Sequence, residues 1–143
     1  MTAVISVRRA TLADIPAMHR IRLAVRENVL SRPDLLTQDA YPVELTRDGR
    51  GWVSEEDGEI AGFSVARRNG NIWALFVDPP REGRGHGRAL HDAMIAWMRA
   101  EGIRRAWLST DPATRADAFY RAQGWIAGEI LDDGELAFEL PLD

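Results

Sequence analysis

The six residues Ile72-Trp73-Ala74-Leu75-Phe76-Val77 carry no charge, and Asp78-Pro79-Pro80 follows them directly. A run this short, apolar at odd and even positions alike, fits a buried central strand covered on both faces. Proline cannot donate to a ladder, so the strand must end at Asp78. Beyond it stand Gly83, Gly85 and Gly87, then Leu90, Met94, Ile95, Trp97 and Met98 at helical spacing, with Gly102 as the stop. Strand, glycine-rich turn and helix start are thereby tied together in one segment.

The remaining chain can be laid out around that segment. Residues 4–9 predict a short strand. Thr11 and Asp14 are spaced like a capping box, and Pro16 is tolerated in a first turn. Ile15, Met18, Ile21, Leu23 and Val25 then predict a helix to about Glu27. Residues 31–34 read as a loop, and a second short helix runs from Thr37 or Gln38 toward Leu45, weakened by Pro42. Residues 51–54 and 60–67 flank the turn Glu56-Asp57-Gly58-Glu59, a hairpin signal. Asn69-Gly70-Asn71 is another tight turn. A strand over 106–110, a helix over 113–123 stopped by Gly124, and a hairpin of 125–130 with 135–140 complete the chain. The order β-α-α-β-β-β-α-β-α-β-β predicts an α/β (α+β) chain with a mixed sheet and helices on its faces.

Bulk properties narrow the function classes. The 143 residues suit one domain spanning 1–143, and 45% hydrophobic with 28% charged residues is ordinary for a soluble globular protein. A net charge of −4 without a block of like charge gives no reason to expect nucleic acid or a membrane surface. The first residues are too short and mixed for a signal peptide, no run reaches transmembrane length, and a cytoplasmic protein is expected. There is no cysteine, hence no disulfide, thiolate metal ligand or cysteine nucleophile. All 18 basic residues are arginine, so a Walker A loop, which needs lysine, is excluded. His19 and His91 lack partners at metal-ligand spacing, and no metal is expected.

The glycine turn is the informative chemistry. Glycines at alternate positions bring backbone N–H groups close to a ligand, and the helix dipole adds positive potential at the same point. Arg81, Arg84 and Arg88 add charge around it, so the turn suits a diphosphate. The dinucleotide fingerprint spaces its glycines differently and needs an acidic residue after the next strand, where this chain has Ser109-Thr110. A bare turn would need one glycine rather than three.

Glu82-Gly83-Arg84-Gly85-His86-Gly87 resembles the acetyl-CoA loop of the GNAT superfamily of N-acetyltransferases. That pattern is glutamine or arginine, two residues, glycine, one residue, then glycine or alanine; Glu82 departs from it at the first position. Ala116, Phe119, Tyr120 and Gly124-Trp125 are similar to a second family pattern, whose frequent asparagine is Ala113 here. The resemblance implies a GNAT-like fold, a mixed, mostly antiparallel central sheet of about seven strands. It implies acetyl-CoA as co-substrate, its pantetheine lying along Leu75, Phe76 and Val77, and its pyrophosphate on Gly83, Arg84, Gly85, His86, Gly87 and Arg88. A backbone N–H near Val77 would polarise the thioester carbonyl. His86 would contribute chiefly its backbone N–H. Tyr120 would be the general acid that protonates the departing sulfur; a core aromatic with a satisfied hydroxyl is the other reading.

On the acceptor side the family's geometry points to Glu27, Tyr41 and Glu129 as flanking residues. None carries a motif, so no general base is assigned and a water chain can serve instead. Arg22 and Arg26 share a helix face and read as an exposed basic stripe in preference to a carboxylate clamp. Trp52, Trp73 and Trp125 read as core in preference to pocket lining. The expected acceptor is a small-molecule primary amine, a homodimer is allowed by analogy, and a non-catalytic acyl-CoA sensor or interaction domain of the same fold is the alternative.

Overall fold

The computed structural model describes residues 4–25 and 38–143. Its elements are strand Ile5–Arg9 (β1), helix Ile15–Ala24 (α1), helix Tyr41–Thr46 (α2), strands Gly49–Glu56 (β2), Glu59–Arg67 (β3) and Ile72–Val77 (β4), helix His86–Ala100 (α3), strand Arg105–Thr110 (β5), helix Arg115–Ala122 (α4), and strands Ile126–Ile130 (β6) and Leu136–Pro141 (β7). This is the order expected from the sequence, seven strands included. The expected helix end near Glu27, the Arg26 half of the basic stripe and the loop at 31–34 lie outside the described residues.

Local chemistry sets most boundaries. The Thr11 N–H donates to Asp14 Oδ2 at 2.8 Å, which completes the capping box ahead of α1. Arg8 reaches both Asp14 oxygens at 2.8 and 2.9 Å and holds that carboxyl below the usual range. Pro42 does not weaken the second helix: it falls in the first turn of α2, where its missing N–H would have had no partner. Asp57 and Gly58 take φ of +55° and +78° at the tip of the β2–β3 hairpin, the paired positive angles that tight hairpins require.

The strands form two sheets, β1-β2-β3-β4 and β5-β7-β6, antiparallel throughout. One parallel bridge, Asn71 to Trp107, joins them. β4 is therefore covered on both faces but is not central in the ladder sense, since only β3 pairs along its length. One apolar cluster packs α1 and α2 on β3 and β4 through Met18, Ile21, Tyr41, Phe63 and Phe76. The other packs α3 and α4 on both sheets through Leu90, Met94, Met98, Tyr120, Trp125 and Phe138. Full burial of each large apolar side chain is worth ~1.5–3 kcal/mol against exposure. Among the described residues, no helix is long and apolar enough to cross a membrane.

Burial also leaves a signature in pH dependence. It pushes the Tyr41 phenol up to about 12 and the Tyr120 phenol upward too. The unfolded chain releases these protons near the ordinary value of 10.0, while the folded chain keeps them. Stability from both tyrosines is intact below that value and is lost as pH rises above it, for Tyr41 through the window up to about 12. Thermal melts should show the midpoint falling in that window, and Tyr41→Phe should blunt the fall; a flat midpoint refutes it.

Candidate active site

The site begins where the two sheets part. The Trp107 N–H donates to the Gly70 carbonyl at 2.9 Å beside the lone bridge, and no ladder joins β4 to β5 further on. The Asp78 N–H donates to the Ala61 carbonyl at 2.7 Å on β3. Alternation along an antiparallel ladder then turns the N–H groups of Ala74 and Phe76 toward β3 as well. Those of Leu75 and Val77 face the split. A cleft of about 850 Å³ opens there.

β4 lines the cleft with Leu75, Phe76 and Val77, the following turn and helix with Gly83, Gly85, His86, Gly87 and Arg88, and α4 with Tyr120. The structure thus gathers every site residue expected from the sequence except Arg84 into one cavity. Gly83 has φ +77° and Gly85, the N-cap of α3, φ +101°. No atom lies within 4 Å of a Cβ built at Gly83, so backbone angle rather than crowding accounts for that glycine. The first α3 hydrogen bond runs from the Ala89 N–H to the Gly85 carbonyl at 3.1 Å. The N–H groups of the first turn therefore have no intrahelical acceptor. Arg88 is exposed and has no carboxylate partner among the described residues.

Two loop side chains do something the sequence did not suggest. His86 is buried, with Nε2 2.9 Å from Glu56 Oε1 and Nδ1 3.0 Å from Ser54 Oγ. Its side chain faces β2, so only its main chain is left to meet a ligand. Arg84 turns its guanidinium to the same Glu56, and Arg81 donates to the Glu56 carbonyl at 3.1 Å and to Glu59 at 2.8 Å. The His86 hydrogen bond, with Arg84 adding to it, holds the Glu56 carboxyl below its ordinary range. Glu56 is therefore the anchor that straps the glycine turn to the β2–β3 hairpin. It sits about thirty residues upstream, and no local pattern marks it.

Tyr120 is 6% exposed, its ring edge-on to Phe119 and Trp125 at 5.3 Å. Its hydroxyl has no hydrogen-bond partner among the described residues. Glu82 also lines the cleft and pairs with Arg115 at the start of α4. Just before α4, Ala113 takes φ +63° while its N–H donates to Asp117 Oδ2 at 2.7 Å. A Cβ in that left-handed region costs ~1–2 kcal/mol, partly offset by the extra chain entropy of glycine. Ala113→Gly should raise stability by ~0.5–1 kcal/mol, and Ala113→Asn should raise it too. Urea midpoints test this; a lower midpoint for both refutes it.

The acceptor-side residues separate cleanly. Tyr41 is fully buried, 3.1 Å from His19 Nδ1, and does not line the cleft. Glu129 is exposed in a shallow depression formed by residues 129–133, and Glu27 lies outside the described residues. Trp52 and Trp125 are core, whereas Trp73 lines the cleft. Arg22 does not belong to an exposed stripe: its guanidinium lies against the rings of Trp73 and Phe76, in the cleft wall. Glu135 is the other acidic residue there among the described residues, accepting from the Ser109 hydroxyl at 2.8 Å. Among the described residues, no group of three potential metal ligands occurs.

A split β4–β5 pair above a glycine turn at a helix N-terminus is the arrangement of an α/β fold with a cleft at its sheet junction, and comparison with known proteins gives its family. The profile of the Acetyltransferase (GNAT) family matches residues 15–125. The chain belongs to that family, whose members are acyltransferases. It is 29% identical to an aminoglycoside N(6')-acetyltransferase type 1 of Stenotrophomonas maltophilia, over 96% of this chain and 94% of that one. It is 35% identical to the mycothiol acetyltransferase of Beutenbergia cavernae, over 52% of this chain but only 27% of that longer protein. It superposes with TM-score 0.79 on yncA of Salmonella typhimurium, solved with its cofactor acetyl-CoA, at 18% identity over 97% of this chain and 94% of that one.

Proposed function

We propose that the chain transfers an acetyl group from acetyl-CoA to a primary amine of a small-molecule acceptor. The observation that carries this reading is the half-open strand β4, whose Leu75 and Val77 N–H groups face a cleft ending at the glycine turn. Acetyl-CoA supplies an acetyl thioester. The chain supplies the rest: free first-turn N–H groups and Arg88 suit a diphosphate, and the unpaired edge of β4 suits an extended amide-bearing arm. The Val77 N–H is placed to donate to a developing oxyanion.

Tyr120 serves as the general acid in this reading. Tyr120 lines the cleft, its hydroxyl has no acceptor among the described residues, and burial keeps it protonated at working pH. Glu135, in the cleft wall without a basic partner among the described residues, is the carboxylate best placed to relay a proton from the amine through water. Glu82 stands where the family pattern has glutamine or arginine; paired to Arg115, it brings no free negative charge to the diphosphate region.

The direct test is thiol release from acetyl-CoA across amino acids, alkylamines, peptide N-termini and an aminoglycoside. Turnover with at least one class is expected. Tight acetyl-CoA binding without turnover across the panel would favour a non-catalytic sensor, and no acetyl-CoA binding would overturn both.

A further inference from the structure

Arg22 is the feature that this reading leaves unexplained. Its Nε and Nη1 are buried and meet no acceptor among the described residues. Its Cζ lies 4.8 Å from the Phe76 ring centroid and 5.4 Å from that of Trp73. Removal from water lowers its pKa, and the neighbouring Tyr41 is a neutral phenol that offsets little of this. An arginine with two buried and unmet donors is costly to keep, because each buried donor forfeits a hydrogen bond that water would have made. The neighbouring Arg20 contrasts with it: exposed, it lies 3.8 Å from Asp78 at the end of β4.

Position decides what Arg22 could meet. Phe76 packs with the α1–α2 cluster, whereas Leu75 packs against the cluster that holds α3. Arg22 therefore lies on the opposite face of β4 from the glycine turn, and the cleft reaches both faces. The diphosphate side is served by the first turn of α3 and Arg88. Arg22 faces the acceptor half.

We infer that Arg22, clamped on Trp73 and Phe76, binds a carboxylate of the acceptor, which makes the preferred substrate an amine of amino-acid type. A planar guanidinium lying against two rings of the cleft wall can turn an edge to a ligand, and a carboxylate matches such an edge with two parallel hydrogen bonds. The part-buried positive charge also disfavours polycationic amines, the acceptors that the sequence similarity to an aminoglycoside enzyme would suggest. Within a family fold that accommodates several amines, this one side chain selects among them.

The inference rests on the acetyl-transfer reading, and its test keeps the two apart. Amino acids and their amides, identical but for the carboxylate, are compared for acetyl-CoA-dependent thiol release by wild type, Arg22→Gln and Arg22→Lys. Separately, calorimetry measures binding of amino acids to the CoA-loaded protein. Wild type should prefer the carboxylate by roughly 10- to 100-fold in kcat/KM, the worth of a charge-assisted contact. The ratio should fall toward one in Arg22→Gln and lie between in Arg22→Lys, with CoA affinity and melting midpoint close to wild type as folding controls. Equal kcat/KM for acid and amide in wild type, or an unchanged ratio in Arg22→Gln, overturns the assignment. If no amine is acetylated, the acetyl-transfer reading fails by itself. Amino-acid binding that Arg22→Gln abolishes still supports the site, and its absence in wild type overturns it.

Discussion

Tyr120→Phe should lower kcat by ~10²-fold or more while leaving acetyl-CoA affinity within about twofold, because the change removes a proton donor and nothing else. The ring keeps its contacts with Phe119, Trp125 and Phe138. The hydroxyl donates to no protein group among the described residues, so its loss strands no buried partner and should move the melting midpoint little. That combination distinguishes an acid from a core aromatic. A structural tyrosine would show lost stability with kcat intact, and an unchanged kcat would remove Tyr120 from the mechanism. Wild-type kcat should also hold up toward alkaline pH further than an exposed phenol would permit, since burial raises the Tyr120 pKa and keeps the donor protonated.

The second large effect is expected at the glycine turn. Gly85 has φ +101° and ψ 1°, outside the small left-handed region that other residues tolerate. Gly85→Val adds a β-branched side chain there, for a penalty of at least ~1–2 kcal/mol that the chain can relieve by re-forming the start of α3. The first-turn N–H groups then lose their aim, and acetyl-CoA affinity should fall by ~10-fold or more. Calorimetry reads this directly. Arg88→Ala should weaken binding more than Arg84→Ala, since Arg88 faces the cleft while Arg84 is engaged with Glu56. Wild-type affinity in Gly85→Val would mean that the turn does not hold the diphosphate.

Some of this was legible in the chain alone, for a physical reason. Periodicity and punctuation act over a few residues, and that is where the reading held: the Thr11–Asp14 box, the Asp57-Gly58 turn, the stops at Gly102 and Gly124, the order of all seven strands. Pro42 misleads in sequence because its effect depends on which turn of a helix it occupies. β4 reads as central in sequence because an apolar run reports coverage of its faces and says nothing about its edges.

Side-chain roles divided along the same line. The conformation of the glycine turn could be read from sequence because glycine spacing encodes it, as the positive φ of Gly83 and Gly85 shows. His86 and Arg84 could not, since both are claimed by Glu56, a residue brought in by the β2–β3 hairpin. Arg22 looked like surface at its helical spacing; only the packing of α1 on Trp73 and Phe76 buries it. The sequence by itself determined where the strand ends, where the backbone turns left-handed and where α3 begins, and these mark the segment of Leu75 to Arg88 proposed as the donor site. The tertiary structure alone decided which edge of β4 stays unpaired, which carboxylate anchors the turn, and which arginine lies against Trp73 and Phe76 in the cleft wall, because each depends on residues far apart in sequence meeting across the sheet.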